Sequence, residues 1–309
     1  MLNLPRVIVL TMIWVLFPLS VKSAEFSAKT GAQFRFDDRS SKPERYQYRI
    51  RFYPQITFDD QKNWSLNGFA ATGDDFSSSH NTIDDSDADF FYVRRLYLRH
   101  QQGEGKTEIG VIPTYKGRVS STGLSKDGWL TGLRQVVGLP GGKVELTVGD
   151  LADTQARNAL DGFNSLNYIE LEYSSDFAKN YSYELSVERL LESNFVTAEV
   201  RYRSAADVIY GAEIINRLDN QESKVIISAE GQFEWLSREV DYFAYYSYSD
   251  NDFGPRDELT EDFLASGHGL SIEFESTFDV GFPLDWFARF EAVQSNTRAM
   301  VGVKYSFTL

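Results

Sequence analysis

From Ala24 to the end of the chain, apolar and polar residues alternate with a period of two. The alternating segments run to roughly ten residues and are separated by turn residues, the spacing of strands that cross a bilayer. The clearest are Tyr46/Tyr48/Ile50/Phe52, Tyr181/Tyr183/Leu185/Val187, Val196/Ala198/Val200/Tyr202 and Val225/Ile227/Ala229. The last twelve residues show the pattern best. Val301, Val303, Tyr305, Phe307 and Leu309 share one face, and Arg298, Gly302, Lys304, Ser306 and Thr308 share the other. Strand centres are expected at 26–37, 45–58, 63–73, 90–101, 105–115, 129–138, 142–150, 165–174, 180–189, 195–204, 207–216, 223–234, 239–249, 268–278, 284–295 and 298–308. Phase is ambiguous in 90–101 and 207–216. That makes about 16 strands, an even number, as a single-chain bacterial barrel requires. No helix, linker or low-complexity tract is read after Ala24.

The connections strengthen this reading. Those at Asp59–Lys62, Gln102–Lys106, Leu139–Gly142, Ser204–Asp207 and Leu236–Glu239 are short, and partners between them such as 74–89, 116–128, 151–164 and 250–267 are longer. Short periplasmic turns and longer extracellular loops give that alternation. A soluble β-sandwich would keep one face for a second sheet and make the outward face polar. It explains neither the terminal strand nor the loop lengths. The fold class expected is therefore all-β, a transmembrane antiparallel β-barrel.

At the other end, Arg6 precedes the apolar run Val7–Leu19, and Val21-Lys22-Ser23 leads to Ala24. A basic start, a short apolar middle and small residues at a cleavage point are the parts of a secretory signal. Cleavage is expected after Ser23, with Ala24 the alternative, leaving residues 24–309 as the barrel. The competing reading, a membrane anchor, needs roughly 20 apolar residues. This run is shorter, and Pro18 interrupts its end.

Composition changes the picture in three places. No cysteine is present, which removes disulfides and thiolate metal sites. Aromatics reach 15% while the mean hydropathy is only −0.35. That combination suits a barrel with a polar residue at every second position and aromatic girdles at the two interfaces. A net charge of −14 argues against binding nucleic acid.

The polar face carries the candidate chemistry. With Tyr46, Tyr48, Ile50 and Phe52 outward, Arg45, Gln47, Arg49, Arg51 and Tyr53 point inward. With Leu96 and Leu98 outward, Arg95, Tyr97 and Arg99 point inward; Arg94 joins them if Arg94-Arg95 forms a bulge, since arginine on a lipid face is costly. These form a basic wall. The same parity makes an acidic wall of Glu170, Glu172, Glu184, Glu188, Glu273 and Glu275. Rows of like charge need water and opposing charge, which an aqueous lumen provides. In the other reading the charges pair across a plugged interior, but about 16 strands enclose more space than side chains fill.

The spacing Gly302-x-x-Tyr305-x-Phe307 resembles the C-terminal signal read by the barrel-assembly machinery of Gram-negative bacteria, although Thr308 and Leu309 follow it. The chain as a whole resembles the general porins of those outer membranes. The resemblance implies lipid and lipopolysaccharide around the barrel and assembly into homotrimers. It also implies a third extracellular loop that folds inward, here 116–128, bringing Lys116, Arg118 and Lys126 to a constriction. An ordinary solvated loop is the alternative. The hairpin from Phe91 to Pro113 faintly resembles one in phosphate-selective porins. Two acidic loops, with Asp74, Asp75, Asp84, Asp85, Asp87 and Asp89 in one and Asp250, Asp252, Asp257, Glu258, Glu261 and Asp262 in the other, match no calcium-loop spacing and read as solvated.

The function expected is passive diffusion of small hydrophilic solutes or ions through a water-filled lumen, with no cofactor and no metal. A non-conducting barrel serving as anchor, adhesin or scaffold is the second reading. A barrel enzyme is the third: His80, His100 and His268 are the only histidines, and no serine or aspartate partner stands at a recognisable spacing.

Overall fold

The computed structural model describes residues 24–40, 42–73, 80–83, 91–113, 129–151, 159–160, 162–251, 253–254 and 266–309. The expected signal segment 1–23, the third loop with Lys116, Arg118 and Lys126, and all of the first acidic loop's aspartates lie outside these residues, as does all of the second acidic loop after Asp250 that carries charge.

In chain order the strands are β1 (Glu25–Arg39), β2 (Lys42–Thr57), β3 (Trp64–Thr72), β4 (Asn81–Thr82), β5 (Phe91–Gln102), β6 (Gly105–Pro113), β7 (Trp129–Leu139), β8 (Gly142–Asp150), β9 (Tyr168–Ala178), β10 (Tyr181–Leu190), β11 (Ser193–Arg203), β12 (Ile209–Arg217), β13 (Glu222–Trp235), β14 (Arg238–Ser249), β15 (Gly267–Asp279), β16 (Pro283–Val293) and β17 (Asn296–Thr308). Neighbours in sequence pair antiparallel, and β1 also pairs with β17, so the sheet closes. The two-residue β4 only extends the place of β3 beside β2. The barrel therefore has 16 staves. Both ends of the chain meet at one rim, where Ala28 and Leu309 exchange backbone hydrogen bonds.

Closure leaves no free ladder edge, so every stave's backbone groups find partners in its neighbours. The alternation expected from the sequence sorts the side chains. Phe34, Tyr46, Ile50, Leu146, Leu185, Val187, Ile227 and Val301 are exposed on the outside, while Gln33, Arg35, Gln47, Arg95, Glu108, Arg134, Glu170 and Arg298 are buried on the inside. Exposed Phe26, Phe233, Trp235, Phe278, Phe282 and Phe307 ring the rim that holds the termini. A continuous apolar outer surface of this extent is unstable in water and is satisfied by lipid.

The loop-length alternation holds only in part. On the rim away from the termini, the chain makes a short connection between β1 and β2 and tight turns at 191–192, 218–221 and 294–295. Left-handed backbone at Leu191, Gln221 and Gln294 forms three of them. The longer excursions all belong to β3–β9 and β14–β15.

Two places depend on glycine. Gly110, Gly132 and Gly149 are register partners on the inner face of β6, β7 and β8. A Cβ on Gly132 would lie 2.0 Å from the Val148 carbonyl oxygen, so only bare backbone permits the sharp curl of the sheet here. At the closing seam a Cβ on Gly302 would lie 2.4 Å from the Phe34 carbonyl oxygen and 2.6 Å from the Phe287 ring. Packing thus requires Gly302 whatever else reads it.

A rim turn carries a titratable cap. Asp219 accepts from the Asn194 backbone N–H at 2.8 Å and its side-chain amide at 2.9 Å. The Asn194 hydrogen bonds, with Arg217 and Arg189 adding to them, hold Asp219 below the ordinary carboxylate value. A lowered folded-state pKa contributes stability above the unfolded value, lost as pH falls through the folded one. Protection of the Asn194 amide against exchange is therefore expected to fall once the pH drops below the ordinary carboxylate range, and Asp219→Ala to show the lowered protection already at neutral pH.

Candidate functional site

The inner wall is where the chain concentrates its ionisable side chains. β17, β1, β2 and β5 put Arg298, Lys304, Arg35, Arg39, Arg45, Arg49, Arg51, Arg94, Arg95 and Arg99 on it. Half a turn around the ring, β8–β12 put Glu145, Glu170, Glu172, Glu184, Glu188, Glu199 and Glu213 on the same inner face. The register places Glu145 opposite Glu172, Glu170 opposite Glu188, and Glu199 between Glu184 and Glu213. Like charges directly opposite each other destabilise a sheet. Four such pairings on one arc are a local cost that the fold offsets elsewhere.

On the basic side many charges are tied along the wall. Asp37 is fully buried and receives Arg298 at 2.7 Å, Arg45 at 2.7 Å and Arg39 at 3.3 Å. Arg298 also reaches Glu291 at 3.5 Å, and Glu291 meets Arg289 at 2.6 Å. Glu273 and Glu275, expected in the acidic wall, lie on β15 within this network: Lys304 meets Glu275 at 2.5 Å, and Arg289 meets Glu273 at 3.8 Å. A second buried node is Glu108, with Arg99 at 2.7 Å, Arg134 at 3.0 Å and Lys106 at 3.4 Å. Arg134 goes on to Glu145 at 2.7 Å. Arg49 donates to Gln33, and Arg35 donates to Gln47 at 2.8 Å. The Arg95 guanidinium lies 4.5 Å from the centre of the Phe69 ring. On the acidic side, the Tyr168 hydroxyl donates to Glu170 at 2.7 Å and Arg201 pairs with Glu199.

Arg94 marks a bulge. The β3–β5 register shifts between Phe69, opposite Arg95, and Ala70, opposite Val93. Arg94 is the extra residue, fully buried, and donates to the carbonyls of Gly73 at 2.7 Å and Thr72 at 3.3 Å. It pins the point where the chain leaves β3. Arg94→Ala is expected to cost about 2 kcal/mol, the value of charged hydrogen bonds to buried carbonyls. Urea unfolding of the refolded barrel measures this, and Arg94→Lys should recover less than half.

That departure leads to His80, which lies beside β4. Burial, and after it the charges of Arg49, Arg35, Arg51 and Arg298, hold its imidazole well below the ordinary value. His268 instead accompanies Tyr246, whose hydroxyl lies 2.6 Å from its Nδ1, and His100 stacks on Trp64 at 4.2 Å. The structure thus puts the three histidines in three separate places.

The sequence reading missed several wall residues, among them Arg35, Asp37, Arg39, Glu108, Arg134, Glu199, Glu213 and Glu291. Parity was the available signal: Arg35 and Asp37 alternate with Phe34 and Phe36, and Glu213 alternates with Ala212 and Ile214. It also missed an apolar patch on the inner wall. Ile112, Leu130, Tyr168, Leu190, Phe195 and Ile215 are buried there under Leu151 and Phe253, which come from the connections after β8 and β14.

Solved structures of the porin of Rhodopseudomonas blastica superpose on this chain. Two engineered variants do so with a TM-score of 0.64 at 10% and 11% identity, covering 92% of this chain and 100% of theirs. A third gives 0.63 at 11% identity with the same coverage. No protein-family model matches the chain, and no curated protein matches it in sequence. At this identity the likeness is one of architecture, and it extends over the whole barrel: the chain has the porin fold, a closed antiparallel ring of 16 staves.

Proposed function

We propose that the protein is an outer-membrane porin that passes small hydrophilic solutes or ions through a water-filled lumen. The observation that carries this reading is the division of one closed sheet into an apolar outer face and a charged inner face. An ion-lined interior of 16 staves is too wide to fill with side chains and suits water. Residues 1–23 act as the export signal, the rim with both termini faces the periplasm, and Tyr305 and Phe307 present the assembly signal. Lipopolysaccharide surrounds the opposite rim, and the barrels associate as trimers.

In this reading Arg45, Arg49, Arg51, Arg95 and Arg99 line one side of the path, and Glu170, Glu172, Glu184 and Glu188 line the other. A field across the lumen orients dipolar solutes without binding them tightly. Glu273 and Glu275 serve the wall network instead. Purified protein added to a planar lipid bilayer is expected to produce stepwise conductance increments. Silence in every preparation supports the second reading, a non-conducting anchor or scaffold, which the paired wall charges and the covered apolar patch favour.

A further inference from the structure

The closed ring has no free edge between its staves, but it has one at an end. β12 pairs with β13 only as far as Ile209, opposite Glu230. The chain before Ile209 folds on itself: Asp207 donates its backbone N–H to the Ser204 carbonyl at 3.2 Å, and Ser204 donates to that of Val208 at 2.8 Å. β13 runs on. Gly231 to Trp235 keep β14 on one side, down to Trp235 opposite Arg238, and have, among the described residues, no strand on the other. Residues 232–239 are exposed on this projecting hairpin, at the rim that holds the termini.

Its turn decides what that edge offers. Leu236 and Ser237 both take positive φ, 52° and 59°, the two-residue turn that makes Trp235 and Arg238 a hydrogen-bonded pair. Bonding alternates along β13, so Gly231 and Phe233 also bond to β14, while Gln232 and Glu234 turn their N–H and C=O groups to the open side. Such an edge is a template for one more strand.

The side chains along the edge say which strand fits. On the inner face stand Glu230, Gln232 and Glu234 of β13 and Glu239 and Asp241 of β14. Glu234 is directly opposite Glu239, a pairing of like charges that costs stability. Gln232 donates to Asp241 at 2.8 Å. Arg203 turns to Asp207 at 3.5 Å and Arg238 to the Thr277 carbonyl at 2.9 Å, and among the described residues no basic side chain pairs with Glu230, Glu234 or Glu239. Where β12 ends, a cavity of about 780 Å³ opens among Arg203, Ile209, Glu230, Asp241 and Phe243. On the outer face Phe233 and Trp235 are exposed. A strand laid along this edge meets carboxylates on one face and aromatic rings on the other. The same carboxylates repel a second copy of the hairpin.

We propose that the projecting edge of β13 is a docking site for an extended polypeptide segment in which lysine or arginine alternates with apolar residues. The segment adds a strand beside Gln232 and Glu234, sets its basic side chains against Glu230 and Glu234, and covers Phe233 and Trp235 with its apolar ones. The outer-membrane reading enters only in placing the partner in the periplasm; the docking needs no open lumen.

The probe is a capped eight-residue peptide of alternating lysine and valine with a fluorescent end, titrated onto the full folded barrel in neutral detergent at low salt. Saturable binding is expected, and none for the alternating glutamate and valine peptide. Methylating the peptide's backbone nitrogens keeps every side chain and charge but removes the donors, and should weaken binding at least about tenfold. Glu230→Gln with Glu234→Gln should weaken binding of the parent peptide by at least about tenfold as well. Bound peptide should slow amide exchange at Gln232 and Glu234 and leave Gly231 and Phe233, already bonded to β14, unchanged. Unchanged affinity of the methylated peptide overturns strand addition. Equal affinity for the double variant, or for the glutamate peptide, overturns the choice of a basic partner. No saturable binding, or no added protection at Gln232 and Glu234, overturns the site. A barrel that binds the peptide and never conducts defeats the porin reading alone, and one that conducts without binding it defeats the docking alone.

Discussion

Asp37→Asn is expected to lower the unfolding free energy of the barrel by about 3 kcal/mol, the cost of removing one partner from a buried ion pair. The reason is the number of groups that depend on one carboxylate. Arg298 gives it two bonds, from Nε at 2.7 Å and from the terminal nitrogen at 3.0 Å. Arg45 and Arg39 supply the rest. An asparagine keeps the shape and one acceptor but removes the charge that three guanidinium groups share, while Arg298 keeps its pairing to Glu291. Water reaches Arg45, which is 29% exposed, and that keeps the cost near the low end of the range. Asp37 and Arg298 also lie on β1 and β17, the two strands whose pairing closes the ring. The loss therefore falls on the pairing that closes the ring. The midpoint of urea unfolding in vesicles measures it. Asp38→Asn, an exposed neighbour, is the control and should change stability by less than about 0.5 kcal/mol. Equal midpoints for the two variants would show that the Asp37 cluster contributes nothing to closure.

The same cluster shows what the sequence could and could not reveal. Strand positions were legible because lipid outside and charge inside impose a strict period of two, and one slip would turn every side chain to the wrong face. Even the bulge at Arg94 was legible, since two consecutive arginines cannot both alternate without one facing lipid. Asp37 was legible in parity but not in role, because its partners lie at the other end of the chain on β17 and across a turn on β2. Glu275 illustrates the reverse case. Its inward direction follows from the pattern, but its pairing with Lys304, two strands away on β17, does not. The inner apolar patch was open to parity but not to role. Phe195 and Ile215 read as part of ordinary strands, and only the remote Phe253 and Leu151 account for apolar residues being buried on the inner face. The tight rim turns were hidden for a simpler reason. Leu191, Gln221 and Gln294 take the left-handed conformation that usually advertises itself through glycine or asparagine.

Neutralising the two arcs of the wall is expected to move ion selectivity in opposite directions. Arg49→Gln with Arg51→Gln should shift the reversal potential in a potassium chloride gradient towards cation preference. Glu170→Gln with Glu188→Gln should shift it towards anion preference. A unit charge about 6 Å from a path through water contributes roughly 0.7 kcal/mol. Screening over a Debye length of about 10 Å at 0.1 M salt cuts this by roughly half, leaving about a twofold change in each ion's permeability, opposite in sign for the two ions, and so about a fourfold change in their ratio for each charge removed. At about 1 M salt the Debye length falls to roughly 3 Å and both shifts should nearly vanish. The Asp37 and Glu108 clusters are poor choices for this test, since their charges compensate within the wall and their loss perturbs folding first. Glu170 and Glu188 are better, because they are register neighbours of like charge and relieving that repulsion should not weaken the sheet. Shifts of the same sign from the two double variants would show that the arcs do not face a common path. The dipolar lumen would then give way to a lumen in which one arc is screened from the permeating ion.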